Sequence, residues 1–321
     1  MKRTLKITAL IFICIWMLAG SAWGMELVAV GQVVGLELRN GSVTVAAFDE
    51  ALGEGAKKAG MEIGDQILSI NGKTVHSAED VRDALNASKG LAEVMLLRGD
   101  RKIYCQVQPQ ITSDGPKIGV FLRQGVTGVG TVTWYDPQTG KFGTLGHGVN
   151  DATGKLLELK QGSAFATKVV AVRKGKVGQP GQLMGCAQSK TPMGNLLKNV
   201  PQGVFGVSET GWEGKTVETA TWDQVKVGKA TILSTVSGDT VREYSVEILR
   251  TYPNANESGR NLLLKITDPD LLEATGGIVQ GMSGSPILQD GRLVGAVTHV
   301  LVNDPTTGYG IFIENMLQAA A

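Results

Sequence analysis

Gly281-Met282-Ser283-Gly284-Ser285-Pro286 is the stretch on which the reading of this chain turns. A serine hydroxyl is a weak nucleophile, so a catalytic one must stand on a tight turn with backbone amides close by. Gly281 and Gly284 allow such a turn. They also let the N–H groups of Gly281 and Ser283 point at one spot, where an oxyanion would develop. A plain β-turn leading into the strand at residues 287–288 would use the same glycines. Ser285 is the rival nucleophile, but its place calls for a small residue for clearance, which favours Ser283.

Outward from this turn, residues 118–321 read as one all-β unit. Runs rich in Val, Ile and Thr occupy residues 128–135, 168–173, 231–235, 242–249, 262–267 and 293–301, with turn signals at Asp136-Pro137, Pro180-Gly181 and Asp290-Gly291. Short strands at such spacing indicate a barrel or sandwich rather than βαβ units. The whole chain has 321 residues, 42% of them apolar, which is enough for about two domains with sizeable cores. It has 43 Gly without periodicity and only 10 Pro, which excludes collagen-like and low-complexity classes. The net charge of +1 leaves no basic field for nucleic acid. Of the three cysteines, Cys14 lies in the N-terminal apolar segment, and Cys105 and Cys186 have no metal-site spacing. They read as two small core thiols. Neither a metal nor a cofactor is expected.

The N-terminus carries Lys2, Arg3 and Lys6 ahead of an uncharged stretch over residues 7–25, with the apolar centre ITALIFICIWML and the small residues AGSAWG after it. That pattern is a signal peptide with cleavage after Gly24, or an uncleaved membrane anchor, within residues 1–26. Either one exports the remainder, because positive charge stays inside.

Residues 27–108 read as a separate unit, joined to the next by a polar linker at 109–117. Ser77-Ala78-Glu79-Asp80 is a capping box, and Val81 and Leu85 then share one helix face. Gly64-Asp65 and Asn71-Gly72 are turn dipeptides flanking a short apolar strand. The pattern AG…GDxIxxINGxxV over residues 59–75 resembles a PDZ domain of the bacterial protease-associated type. The resemblance implies an extended peptide ligand, in trans or in cis, added as a strand. It implies a carboxylate-binding loop at Gly35, Leu36, Glu37 and Leu38, with Val81 and Leu85 on the groove helix. Glu37 is an awkward neighbour for a carboxylate, and a packing module with an unused groove is the competing reading.

A nucleophilic serine needs a base. His76 lies at a helix entry in the PDZ-like unit, His147 in the glycine-lined Leu145-Gly146-His147-Gly148, and His299 on the strand after the serine turn. With Thr298, His299 is placed to form a wall of the substrate cleft. The orienting acid is one of Asp151, Asp268, Asp270, Asp290 and Asp304, of which Asp268 ends an apolar strand rigidly.

The phrases LGHGVND, TDPDLLEATGGIVQGMSGSPI and GAVTHVLVNDPTTGYGI resemble the stage IV sporulation protein B family of serine peptidases. The order of N-terminal membrane-targeting segment, PDZ domain and peptidase domain is the same. The resemblance implies a chymotrypsin-like double β-barrel, with His147 as catalytic histidine, Asp268 as its acidic partner and Ser283 as nucleophile. It further implies a role in endospore formation. The peptidase would cross the inner forespore membrane and act between the two membranes, on itself and on a membrane-embedded regulator that controls a late sigma factor. Two other readings stay open: a PDZ-led scaffold with an inactive peptidase fold, and a broad envelope quality-control protease.

Overall fold

Alternating burial along the chain produces β-structure almost throughout the computed structural model, which describes residues 24–151, 154–254 and 259–321. Residues 1–23 of the segment read as signal or anchor (1–26) lie outside the described residues, while Glu26 at its end opens a strand of the fold. No helix among the described residues is long and apolar enough to cross a membrane.

In chain order the first elements are β1 (Glu26–Ala29), β2 (Val33–Arg39), β3 (Val43–Phe48), α1 (Glu54–Lys58), β4 (Gln66–Ile70), β5 (Lys73–Thr74), α2 (Ala78–Asn86), β6 (Ala92–Arg98), β7 (Arg101–Val107), β8 (Gln110–Thr112), β9 (Gly115–Lys117) and β10 (Val120–Arg123). There follow β11 (Val126–Tyr135), β12 (Lys141–Thr144), β13 (Gln161–Arg173), β14 (Gln182–Ala187), β15 (Gly194–Val200), β16 (Gly203–Val207) and β17 (Lys215–Glu218). The last group is β18 (Gly228–Ser234), β19 (Arg242–Thr251), β20 (Leu262–Ile266), α3 (Pro269–Thr275), β21 (Pro286–Gln289), β22 (Arg292–Leu301), β23 (Asp304–Phe312) and α4 (Ile313–Ala320).

These strands build two barrels and a smaller sheet. In the first barrel the order β12-β16-β15-β13-β2-β11 is closed by pairing of β11 with β12, while β1 and β17 extend it beside β11 and β14 pairs with β13. The second barrel closes as β18-β19-β20-β23-β22-β21. Its core holds Ile232, Ile248, Leu262, Leu264 and Ile287, all essentially inaccessible to solvent. Burying each such side chain contributes about 1.5–3 kcal/mol. The protein is therefore mainly β, with a larger unit made of two β-barrels.

The smaller sheet, ordered β10-β3-β4-β6-β7, is the PDZ unit, packed with α2 around Val43, Val45, Ile67, Ile70, Val81, Leu85, Val94 and Ile118. The Ser77–Asp80 capping box forms at the start of α2, as the residue types require. Asn71 and Gly72 both have positive φ, 51° and 77°, and turn the chain from β4 into β5. Asp65 of the Gly-Asp pair is buried. Burial opposes its charge, but Arg98, with bonds of 2.7 and 2.8 Å to its two oxygens, and the Glu62 amide hold the carboxyl below its usual range.

The domain boundaries differ from those read in the sequence. The PDZ unit occupies roughly residues 43–123, not 27–108, and is inserted into the first barrel. β1 and β2 belong to the barrel: β2 pairs with β11 on one side (Leu38 opposite Val126) and with β13 on the other (Leu38 opposite Gly162). The expected linker at 109–117 is instead the β8–β9 hairpin, and β10 joins the PDZ sheet beside β3. The two strands leaving for the PDZ unit lie side by side. Gly125, at φ +87°, makes the crossing back, and a Cβ there would sit 1.9 Å from the Leu38 carbonyl oxygen.

This placement also moves the PDZ groove. Gly35, Leu36, Glu37 and Leu38 are barrel residues hydrogen-bonded on both edges, so they form no carboxylate-binding loop. The edge strands of the PDZ sheet are β10, entered through Lys117-Ile118-Gly119, and β7, and the helix packed along β9 is α2. Val81 and Leu85 do lie on that helix, but both are turned into the PDZ core. Cys105 is a buried free thiol in the PDZ sheet; Cys186 is free and exposed on β14, not in a core.

Candidate active site

The nucleophile turn is held between the barrels by β11. Thr131 N–H donates to the Ser283 carbonyl at 2.9 Å, Thr131 Oγ1 to the Gly281 carbonyl at 2.8 Å, and Thr133 Oγ1 to the Gly284 carbonyl at 2.8 Å. The turn sits so close to β11 that a Cβ on Gly284 would come within 2.0 Å of the Thr131 carbonyl oxygen. Gly281 has φ +101°, a conformation that glycine adopts without strain. Neither Gly281 N–H nor Ser283 N–H has an acceptor among the described residues. Two amide donors are thus left open on the turn, as an oxyanion site requires.

Ser283 itself donates its hydroxyl to the Thr298 carbonyl on β22, at 2.8 Å. Ser285 is fully buried, with its hydroxyl 3.1 Å from that of Ser234. Its hydroxyl therefore faces the interior, where no substrate carbonyl can reach it.

His147 enters from the first barrel, three residues after β12. Leu145 and Gly146 both have φ of +69°. A non-glycine residue in that region costs about 1–2 kcal/mol. Burial of the Leu145 side chain, 5% exposed, against the first-barrel core maintains it. The kinked backbone lays Gly146 on the Thr298 and Ile311 side chains and brings the His147 ring to 5.1 Å from the His299 ring, centre to centre. His147, Thr298 and His299 therefore gather at the junction of the barrels, where Ser283 bonds the Thr298 carbonyl; among the described residues no hydrogen bond joins Ser283 to His147. His76 is exposed on the PDZ unit, with Nδ1 3.4 Å from the Gly41 carbonyl.

His147 Nδ1 lies 2.9 Å from the Gly148 carbonyl. A carbonyl can only accept, so Nδ1 carries the proton in the neutral ring and Nε2 keeps its lone pair. This is the tautomer that a general base needs. Burial pushes the His147 pKa down, with only the Gly148 carbonyl opposing it. His299 is pushed down to about 4 by burial, then by His147 and Arg260. Its Nδ1 has no hydrogen-bond partner among the described residues. Both rings are neutral at ordinary pH.

Asp268 lies elsewhere. Its carboxylate caps α3, accepting from Leu271 N–H at 3.1 Å and from Ser245 N–H at 3.2 Å. The cleft meets the start of β20, where the Gly259 carbonyl accepts from Thr298 Oγ1 at 2.8 Å. Asp268 follows the other end of that strand, beyond five residues of about 3.3 Å each. The expected contact with His147 is therefore not made, and the Gly148 carbonyl holds the tautomer instead. Asp304 is likewise engaged locally, by Thr306 and Thr307.

One residue of the site had no signal in the sequence. Asn199, on β15, is buried, and its carboxamide takes Val149 N–H at 2.8 Å while donating to the Val149 and Leu157 carbonyls, each at 2.8 Å. It staples the loop that carries His147. Only the fold makes it visible, since it is 50 residues from Val149. Among the described residues no group of three or more His, Cys, Asp or Glu side chains gathers as a metal site would need.

Residues 114–317 match the family described as SpoIVB peptidase S55, and residues 56–98 match a PDZ domain. No curated protein matches the chain. Among solved structures, the PDZ domain of the SdrC-like protein Lmo2051 from Listeria monocytogenes is similar at 23% identity and a TM-score of 0.22, covering 25% of this chain and 85% of that one. The Rv3671c protease in its inactive form is similar at 13% identity and a TM-score of 0.35, over 60% of this chain and 82% of that one. An inactive serine-to-alanine mutant of Rv3671c from M. tuberculosis gives 13% identity and a TM-score of 0.32, over 60% and 80%. At these values none of the three bears on the chemistry. The family match does: it spans well over half of the chain and includes His147 and Ser283, so the protein belongs to the SpoIVB peptidase S55 family and is a serine peptidase.

Proposed function

We propose that this peptidase is a signalling endopeptidase of endospore formation. It is exported by its N-terminal segment to the space between the forespore membranes. There it cleaves itself and a membrane-embedded regulator of a late sigma factor. What supports the catalytic part is a neutral His147, with Nδ1 already engaged and its ring against His299, and Ser283 bonded to the neighbouring Thr298 carbonyl beside two open amides.

In the reaction Ser283 rotates off the Thr298 carbonyl and passes its proton to His147 Nε2 as Oγ attacks the peptide carbonyl. Gly281 N–H and Ser283 N–H receive the oxyanion; such a donor contributes about 10²–10³ in turnover. His147 returns the proton to the leaving amine, and water then hydrolyses the acyl-enzyme. The bond from Ser283 to Thr298 is the resting state, opened by substrate lying along Thr298 and His299. The PDZ unit recruits a protein or peptide ligand.

The test uses the full chain reconstituted in vesicles, with a membrane-embedded regulator of sigma-factor processing as substrate and casein as a general one. Wild type is expected to cut itself and the regulator at defined bonds, and Ser283→Ala and His147→Ala to cut neither. Rapid digestion of unfolded casein would contradict the dedicated signalling role. Cleavage that survives His147→Ala would contradict the mechanism.

A further inference from the structure

On the strand that holds the nucleophile turn, two and four residues before Thr131, lies a cavity of about 310 Å³ that no residue of the Thr298–His299 wall lines. Its walls are Thr127, Val129, Phe165 and Thr167, with Gly35 and Gly185 leaving room between them. We propose that this cavity is the subsite for the departing half of the substrate, and that it takes an apolar side chain from the first three residues after the scissile bond. The inference rests on the serine-peptidase reading and gives that site its leaving-side specificity.

Strand geometry makes the first argument. Thr131 directs its N–H to the Ser283 carbonyl and its C=O to Leu145 N–H, away from β2. Hydrogen-bonding direction alternates along an antiparallel strand, so Val129 and Thr127 direct their N–H and C=O groups to that same edge. β2 covers the other edge over residues 126–131, and pairing with β12 begins only at Val132. Among the described residues the edge of β11 beginning two residues from Thr131 is therefore an unpaired row of donors and acceptors, about 7 Å from the turn. A peptide leaving Ser283 in that direction can add to it as a strand, with alternate side chains facing the cavity.

The second argument is the attachment of the opposite wall. Leu183 N–H bonds the Gln280 carbonyl at 2.8 Å, and Gln280 N–H bonds the Gly181 carbonyl at 3.0 Å, which fixes the start of β14 to the oxyanion turn. A Cβ on Gly281 would be 3.0 Å from that of Leu183. Two residues further on, Gly185 overhangs Val129; a Cβ there would come within 3.0 Å of a Val129 methyl. Both walls are thus tied to the loop that carries the chemistry.

The ligand class follows from the lining. Glu37 is the one charged residue on the wall, and Arg39 already pairs with it at 2.6 Å. No unpaired charge is left to receive a charged side chain. Phe165, Val129 and the threonine methyls offer apolar surface to Val, Leu, Ile or Phe.

The test is cleavage profiling of the full chain with a library of internally quenched peptides, together with fluorophosphonate labelling of the wild type. Wild type is expected to prefer large apolar residues at one position just after the cut. Thr127→Trp, which fills the mouth, is expected to lower the ratio of Leu-bearing to Gly-bearing cleavage at that position by about tenfold or more. Phe165→Ala, which deepens the cavity, is expected to shift the preference towards Phe and Trp. A labelled, cleaving wild type with no preference on the leaving side, or a preference that neither variant moves, overturns this inference alone. A wild type that takes no label and cleaves nothing overturns the peptidase reading and this inference with it.

Discussion

The two barrels have the same strand number and opposite histories along the chain. The second is continuous, from β18 to β23, and supplies the nucleophile turn and its amides. The first is assembled from residues 33–39 and 126–207 with the PDZ unit between them, and supplies His147. The difference teaches that the active site depends on a strand far from it in sequence: β2 supports β11, and β11 holds Ser283. Insertion at the β2–β11 pair leaves both barrels intact, because Leu38 and Val126 are direct neighbours.

The largest test of this comparison is to cut the chain both ways. A fragment of residues 118–321 lacks β1 and β2 and is expected to show no cooperative thermal transition. A variant in which residues 43–123 are replaced by a short turn is expected to melt cooperatively and retain fluorophosphonate labelling. The reverse result would return β2 to the PDZ unit.

The second variant is Asp268→Ala. As an α3 cap it is expected to cost about 1 kcal/mol in chemical denaturation and to leave kcat/KM within a few-fold. A loss near 10⁴-fold in kcat would make Asp268 the orienting acid after all. Asn199→Leu removes the staple from the first barrel without touching the second. It is expected to lower kcat by about 10²-fold through misplacement of His147, with Ser283→Ala as the zero-activity reference.

The smallest effect is on pH. His147 must be neutral to act, and burial holds its pKa below 6.5. Activity is therefore expected to persist through pH 6.5 and fall only as acid reaches the lowered pKa, read from kcat/KM. A midpoint above 6.5 would place a carboxylate beside the ring. His299, at about 4 when folded, has an ordinary value near 6.5 when unfolded. The unfolded chain then binds the proton first, so stability is expected to fall as pH drops from 6.5 towards 4.

The same contrast explains what was legible in the sequence. The glycines about Ser283, the loop at His147, the α2 capping box and the Asn71-Gly72 turn are local devices, and each forms as its residues require. The all-β class and the strands of the second barrel follow from period-two patterning. The Val33–Arg39 strand has that pattern too, but nothing in it names its partners, which begin at Val126 and at Gln161. So Glu37 reads in the sequence as part of a PDZ loop, yet it lines a cavity of the peptidase. Asp268 reads as the partner of His147, yet the nearer demand, the open N-terminus of α3, claims it. Asn199 carries no motif, because a staple needs only a carboxamide at the right place in space.

The central claim is that the two barrels bring a base-ready His147 to Ser283. Its most direct measurement is fluorophosphonate labelling followed by peptide mapping, on wild type, Ser283→Ala and His147→Ala. The account predicts one modified residue, Ser283, with labelling abolished in the first variant and slowed at least about a hundredfold in the second. Equal labelling of all three proteins, or a label found on another residue, would contradict it.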